Sequence, residues 1–148
     1  MPENLNNLGS NSVLLTALLA WLIAQTAKGL LVLIRQRRLD FRRFVGAGGM
    51  PSSHSAFVSS LATGIGMTTG WNSPLTALAV VFALIVMYDA AGVRYAAGRQ
   101  AEVLNRIVDD LYHGGRVREE RLRELLGHTP VEVLVGAALG IVVAVLVL

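Results

Sequence analysis

The chain has no cysteine, which excludes a disulfide framework, a thiolate metal site and a cysteine nucleophile. It is also short of charge: 16% of its 148 residues are charged, against about a quarter in a soluble domain. Lysine occurs once, at Lys28, and no basic residue precedes it, so the positive n-region of a cleavable signal peptide is missing. What fills the chain instead is apolar: 53% hydrophobic residues and a mean hydropathy of +0.55. These residues fall into blocks near the length that spans a bilayer, roughly 20 residues. A soluble enzyme and a disordered chain are thereby excluded. The pI of 10.0 would ordinarily suggest a nucleic-acid partner, but here the basic residues lie between membrane-length segments, and no nucleic acid is expected.

The expected architecture is an all-α integral membrane bundle, a single membrane domain over 1–148. About four transmembrane helices are expected, with cytoplasmic amphipathic helices between them. The spans run at about 13–34, 52–69, 74–88 and 131–148, and the cytoplasmic segments at 35–51 and 89–130. The second span is rich in Ala, Gly, Ser and Thr, small residues that let membrane helices approach closely. Trp71, in the uncharged turn Gly70-Trp71-Asn72-Ser73-Pro74, fits an interfacial anchor. All twelve arginines lie in two segments, 35–43 and 94–123, joined by a hairpin with an uncharged tip. Both segments therefore share one side, and the positive-inside bias makes it cytoplasmic, with both termini outside. Leu104, Ile107, Val108 and Leu111 recur at helical spacing, as in a surface helix lying against the bundle or the membrane.

This topology brings polar groups to one face. Lys28 and Arg35 are seven residues apart, about 20° on a helix, and Lys28 lies inside an apolar span. An intramembrane charge marks a functional position by default, unless the lysine snorkels to the interface. Gly48-Gly49-Met50-Pro51-Ser52-Ser53-His54-Ser55 places glycines before a helix start and hydroxyls and a histidine in its first turn. Helix N-termini bind phosphate, and His54 could donate a proton to a departing oxygen. The alternative is a loop capped by Ser52 or Ser53. In Gly127-His128-Thr129-Pro130-Val131-Glu132, an acid four residues after His128 could orient the ring for nucleophilic attack. Thr129 to Glu132 also reads as a capping box with proline at the first helical position. Asp89 and Arg94 either pair, or hold an anionic ligand through Arg94. His113 reads as a turn histidine.

Taken together, Lys28 with Arg35, Pro51-Ser-Ser-His54, and His128 followed by an acid resemble the three signature motifs of the type 2 phosphatidic acid phosphatase and vanadium haloperoxidase superfamily. The strings Gly48–Ser55, Tyr88–Arg94 and Gly127–Pro130 resemble more closely its divergent branch, the acid phosphatase/vanadium-dependent haloperoxidase-related proteins. The resemblance to the branch covers nearly the whole chain after the polar N-terminus. It implies that His128 is a nucleophile forming a phosphohistidine, that Glu132 orients it, and that His54 is the general acid. Lys28, Arg35, Ser52, Ser53, Arg94 and Arg123 would hold the phosphate, with Asp89 and Gly49 in support, and neither a metal nor a cofactor is implied. Gln36 stands where the first motif has proline, and Ser53 where the second has glycine. Arg121 and Arg123 flank Leu122, the position of the third motif's arginine.

The function expected from this resemblance is metal-independent hydrolysis of a lipid phosphate or diphosphate, on the cytoplasmic face of a bacterial cytoplasmic membrane. The alternative is a non-catalytic membrane protein that binds phosphorylated lipid or a protein partner through the same basic pocket. Membrane lipids and a lipid phosphate are the expected partners, and a bundle this thin is compatible with a homodimer.

Overall fold

The computed structural model describes residues 8–36, 49–111 and 128–148. A 3-10 turn, Leu8–Ser10, leads into α1 (Ser12–Gln36). α2 (Ser53–Thr69), α3 (Pro74–Ala91), α4 (Val93–Leu111) and α5 (Pro130–Val147) follow. Every described element is helical, as the runs of Ala, Leu and Val without interior proline require. Side chains mark the helix starts. Asn11 Oδ1 accepts from the Leu14 amide, Ser52 caps α2, and Ser73 caps α3 ahead of Pro74. α2 ends at Gly70, whose φ of 96° is one that side-chain-bearing residues rarely adopt. The Gly70 carbonyl then accepts from Ser73 N and from Thr76 Oγ1, closing the turn into α3. Trp71 is exposed in this turn and lays its ring across Gly66, where a Cβ would strike it.

α2 is the hub, packed against α1, α3 and α5, while α1 also packs against α5. Close approaches set the register. A Cβ at Gly64 would meet both Val13 of α1 and Leu148 at the end of α5, and one at Gly49 would touch Lys28 of α1. α1 therefore runs antiparallel to α2. α5 runs parallel to it, with Gly136 against Ser52 and Gly140 against Ala56 and Ser59. Ser59 Oγ donates across this contact to the Ala137 carbonyl at 3.0 Å.

The burial pattern inverts that of a soluble protein. Among the described residues, ten of the thirteen buried hydrophobic ones are alanine, so close helix contact rather than large side chains fills the interior. Leu, Ile, Val and Phe side chains on α1, α3 and α5 are exposed instead. Lipid is the solvent that such a surface fits. Among the described residues three helices, α1, α3 and α5, are long and apolar enough to cross a membrane. α2 has 17 residues and a buried series of Ser53, Ser55, Ser59, Ser60 and Thr63. Its weak hydropathy has a physical reason, since its neighbours shield it from the surroundings.

α4 begins directly beyond the break at Gly92 and is amphipathic. Gly98, Ala101 and Asn105 are buried, whereas Val103, Leu104, Ile107 and Val108 are exposed. Arg106 and Glu102 pair at 2.7 Å on its surface. Residues 37–48 and 112–127 lie outside the described residues, and with them His113, Leu122 and the two arginines that flank it.

Candidate active site

One end of the bundle collects the C-terminal half of α1, the Gly49–Ser52 segment, the first turn of α2, the last turn of α3 and the start of α5. Two backbone bonds hold the last of these in place. The His128 N–H donates to the Ala90 carbonyl at 3.1 Å, and the Ser52 N–H donates to the Glu132 carbonyl at 3.0 Å. The Met50–Pro51 peptide is cis, and Gly49 has a φ of 89°. The Lys28 stem passes within 3.5 Å of the place a Gly49 Cβ would occupy.

His128 is 2% exposed, and its Nδ1 lies 3.1 Å from Glu132 Oε2. A carboxylate only accepts hydrogen bonds, so Nδ1 is the protonated nitrogen when Glu132 is ionised. The same Oε2 accepts from the Thr129 N–H at 3.1 Å, while the Glu132 N–H donates to Thr129 Oγ1. The two readings of this segment therefore hold together: one carboxylate oxygen closes the capping box and orients the histidine.

His54, the second residue of α2, is exposed, with its ring centroid 6.1 Å from that of His128 and the planes 62° apart. Lys28 is 3% exposed, with its stem against Gly49. Ser52 and Ser53 are buried, and Ser52 rather than Ser53 is the cap. Its Oγ accepts from both the amide and the hydroxyl of Ser55.

Lys28, Gly49, Ser52, Ser53, His54, His128 and Glu132 are thus gathered from three separate stretches of sequence. Asp89 is exposed in the last turn of α3 and is not joined to them. Arg35 belongs to the last turn of α1 and Arg94 to the first turn of α4. Their side chains, and all of Arg123, lie outside what the structure describes. Among the described residues no three His, Asp or Glu groups come together as metal ligands would.

Sequence reasoning passed over Gly136 and Gly140. A Cβ at Gly136 would collide with the Ser52 carbonyl, and one at Gly140 with the Ala56 carbonyl and Ser59 Oγ. These glycines let α5 lie directly on α2 and bring His128 to the α2 N-terminus. The spacing Gly136-x-x-x-Gly140 is a small-residue packing signal legible in the sequence.

The fold and this cluster define an integral membrane protein of helical-bundle type, with a histidine–carboxylate pair, a second histidine and a buried lysine at one end. The chain belongs to the divergent PAP2 family, whose model matches residues 9–143. It is 41% identical over 143 residues to the uncharacterized membrane protein YuiD of Bacillus subtilis (strain 168), a match covering 89% of this chain and 90% of that one. No solved structure matches it.

Proposed function

We propose that this protein is a membrane-embedded phosphatase that removes phosphate from a lipid phosphate or diphosphate through a phosphohistidine. The observation that carries this reading is the facing of His54 and His128, 6.1 Å apart between ring centroids, with Glu132 bonded to His128 Nδ1. A carboxylate on Nδ1 leaves Nε2 as the attacking nitrogen. Nε2 attacks phosphorus in line, the P–O bond to the lipid breaks, and His54 gives its proton to the departing oxygen. Water then attacks the phosphorus of the N–P adduct as His54 takes up a water proton. The N–P bond breaks, releasing inorganic phosphate and restoring both histidines.

Glu132 balances the charge that grows on the His128 ring. Lys28 and Arg35, with Arg94 or Arg123, supply positive charge to the phosphoryl oxygens. Ser53 stands in the first helical turn, whose N–H groups lack helix carbonyls, and Ser52 orients that turn by capping it. Gly49 supplies the positive φ at which the chain passes the Lys28 stem. Asp89 adjoins Ala90, whose carbonyl takes the His128 N–H. The four-span topology is part of the same proposal, with α2 as the fourth span, the site on the cytoplasmic face and both termini outside.

The test is phosphate release from a panel of lipid phosphates by purified protein in detergent. His128→Ala should abolish turnover, and His54→Ala should lower it on the order of 10²- to 10⁴-fold. Turnover that survives in His128→Ala would overturn the nucleophile assignment. Saturable lipid binding with no release from any lipid would favour a non-catalytic lipid-binding protein.

A further inference from the structure

Three residues before Lys28, on the adjoining part of the same helical surface, α1 carries Gln25. Its Oε1 is closed to solvent and accepts no hydrogen bond from the protein. Lys28 is level with Gly49 and Val13 with Gly64, so antiparallel packing sets Gln25 level with Ser52. Ser52 Oγ accepts both of its bonds from Ser55 and keeps its own proton to donate, yet it makes no bond to Gln25 Oε1. The hydroxyl of Thr26, next in sequence, turns back to the Leu22 carbonyl. A buried acceptor without a donor is costly, and an uncompensated polar group inside an apolar span points to a ligand.

We propose that Gln25 determines specificity by accepting a hydrogen bond from the lipid itself, from a hydroxyl or amino group beside the phosphate ester. This rests on the phosphate-site reading above and deepens it. Gln25 lies about 4.5 Å along the helix axis from Lys28, toward the membrane interior. A phosphate held at Lys28 and His128 would send its lipid chain in that direction. A lipid running from phosphorus toward Gln25 passes the ester oxygen and the first carbon, and the second carbon carries the first substituent that can present a hydroxyl or amino group. A free hydroxyl there meets the Gln25 carbonyl. A lipid with only hydrogen at that carbon leaves the carbonyl unpaired and is disfavoured, because a site built to bond a hydroxyl rejects the analogue that lacks it. The favoured class is therefore lipid phosphates with a donor on the second carbon, as in a monoacylglycerol phosphate, over polyprenyl phosphates.

A matched pair tests this: 1-oleoylglycerol 3-phosphate and its 2-deoxy analogue, presented to the full chain in detergent. Wild type should favour the hydroxylated lipid in kcat/KM by about tenfold or more. Gln25→Leu should bring the ratio close to one by slowing only the hydroxylated substrate. A ratio near one in wild type overturns the proposal. So does equal loss on both lipids in Gln25→Leu, which is the mark of a structural role filled by a buried water. If wild type hydrolyses neither lipid, the phosphatase reading fails on its own account. Gln25 is then judged by equilibrium binding of the same pair: a preference for the hydroxylated lipid that Gln25→Leu removes upholds it, and equal or absent binding overturns it.

Discussion

Glu132 joins two tasks that the sequence presents as rivals, and its substitutions separate them. Glutamine at the third helical position still closes a capping box, so Glu132→Gln should fold with a thermal midpoint close to wild type. It no longer presents a carboxylate to His128 Nδ1, and turnover should fall on the order of 10²- to 10⁴-fold. Thr129→Ala is the converse. It should lose about 1 kcal/mol of stability with the cap and keep most of the activity, because the bond from His128 Nδ1–H to Glu132 Oε2 remains. Equal effects of both variants on activity would mean that the carboxylate serves the backbone alone. Lys28 divides function from stability in another way. Its charge is buried at 3% exposure within a span, and such a charge is costly to place. Lys28→Met should raise the thermal midpoint in detergent while abolishing phosphate release. A fall in both would make the lysine a structural partner of Glu132.

At the scale of elements, the α2–α5 contact sets the site. Gly140→Leu would drive a side chain into the Ala56 carbonyl and Ser59 Oγ, and overpacking of this kind typically costs about 1–3 kcal/mol, occasionally more. The variant should lower the thermal midpoint and the phosphatase activity together, because His128 rides on α5 and His54 on α2. Gly9→Ala, where a Cβ meets nothing within 4 Å, should change neither. The helices themselves were legible in the sequence. α1, α2 and α5 occupy Ser12–Gln36, Ser53–Thr69 and Pro130–Val147, where caps and apolar runs mark helices. The apolar run of α3 stops at Tyr88, yet the helix continues to Ala91, because Asp89 in a final turn interrupts the run without breaking the helix. The α2–α5 contact was not read, since a glycine pair declares close packing without naming the helix it packs against.

For the whole molecule, the proposed sidedness rests on charge. The twelve arginines lie in the segments at 35–43 and 94–123, and the positive-inside bias turns that clustering into an orientation. A cysteine at Asn72, exposed in the α2–α3 turn, should react with a membrane-impermeant maleimide added to intact cells. With no native cysteine, the signal belongs to that site alone. Labelling only after lysis would reverse the orientation and put the site outside.

The sequence by itself determined the solvent, the helices and the chemical types at the site, because hydropathy, caps and residue identity are local properties. It pointed to Lys28, His54 and His128 as residues needing a reason, but left each with a structural alternative. Only the tertiary structure brought the three to one end of the bundle. Burial of Lys28 against Gly49, the two bonds to one oxygen of Glu132 and the 6.1 Å between the histidine rings all depend on which helices touch. Gln25 was invisible for the same reason: an acceptor is known to lack a donor only when every neighbour is in place.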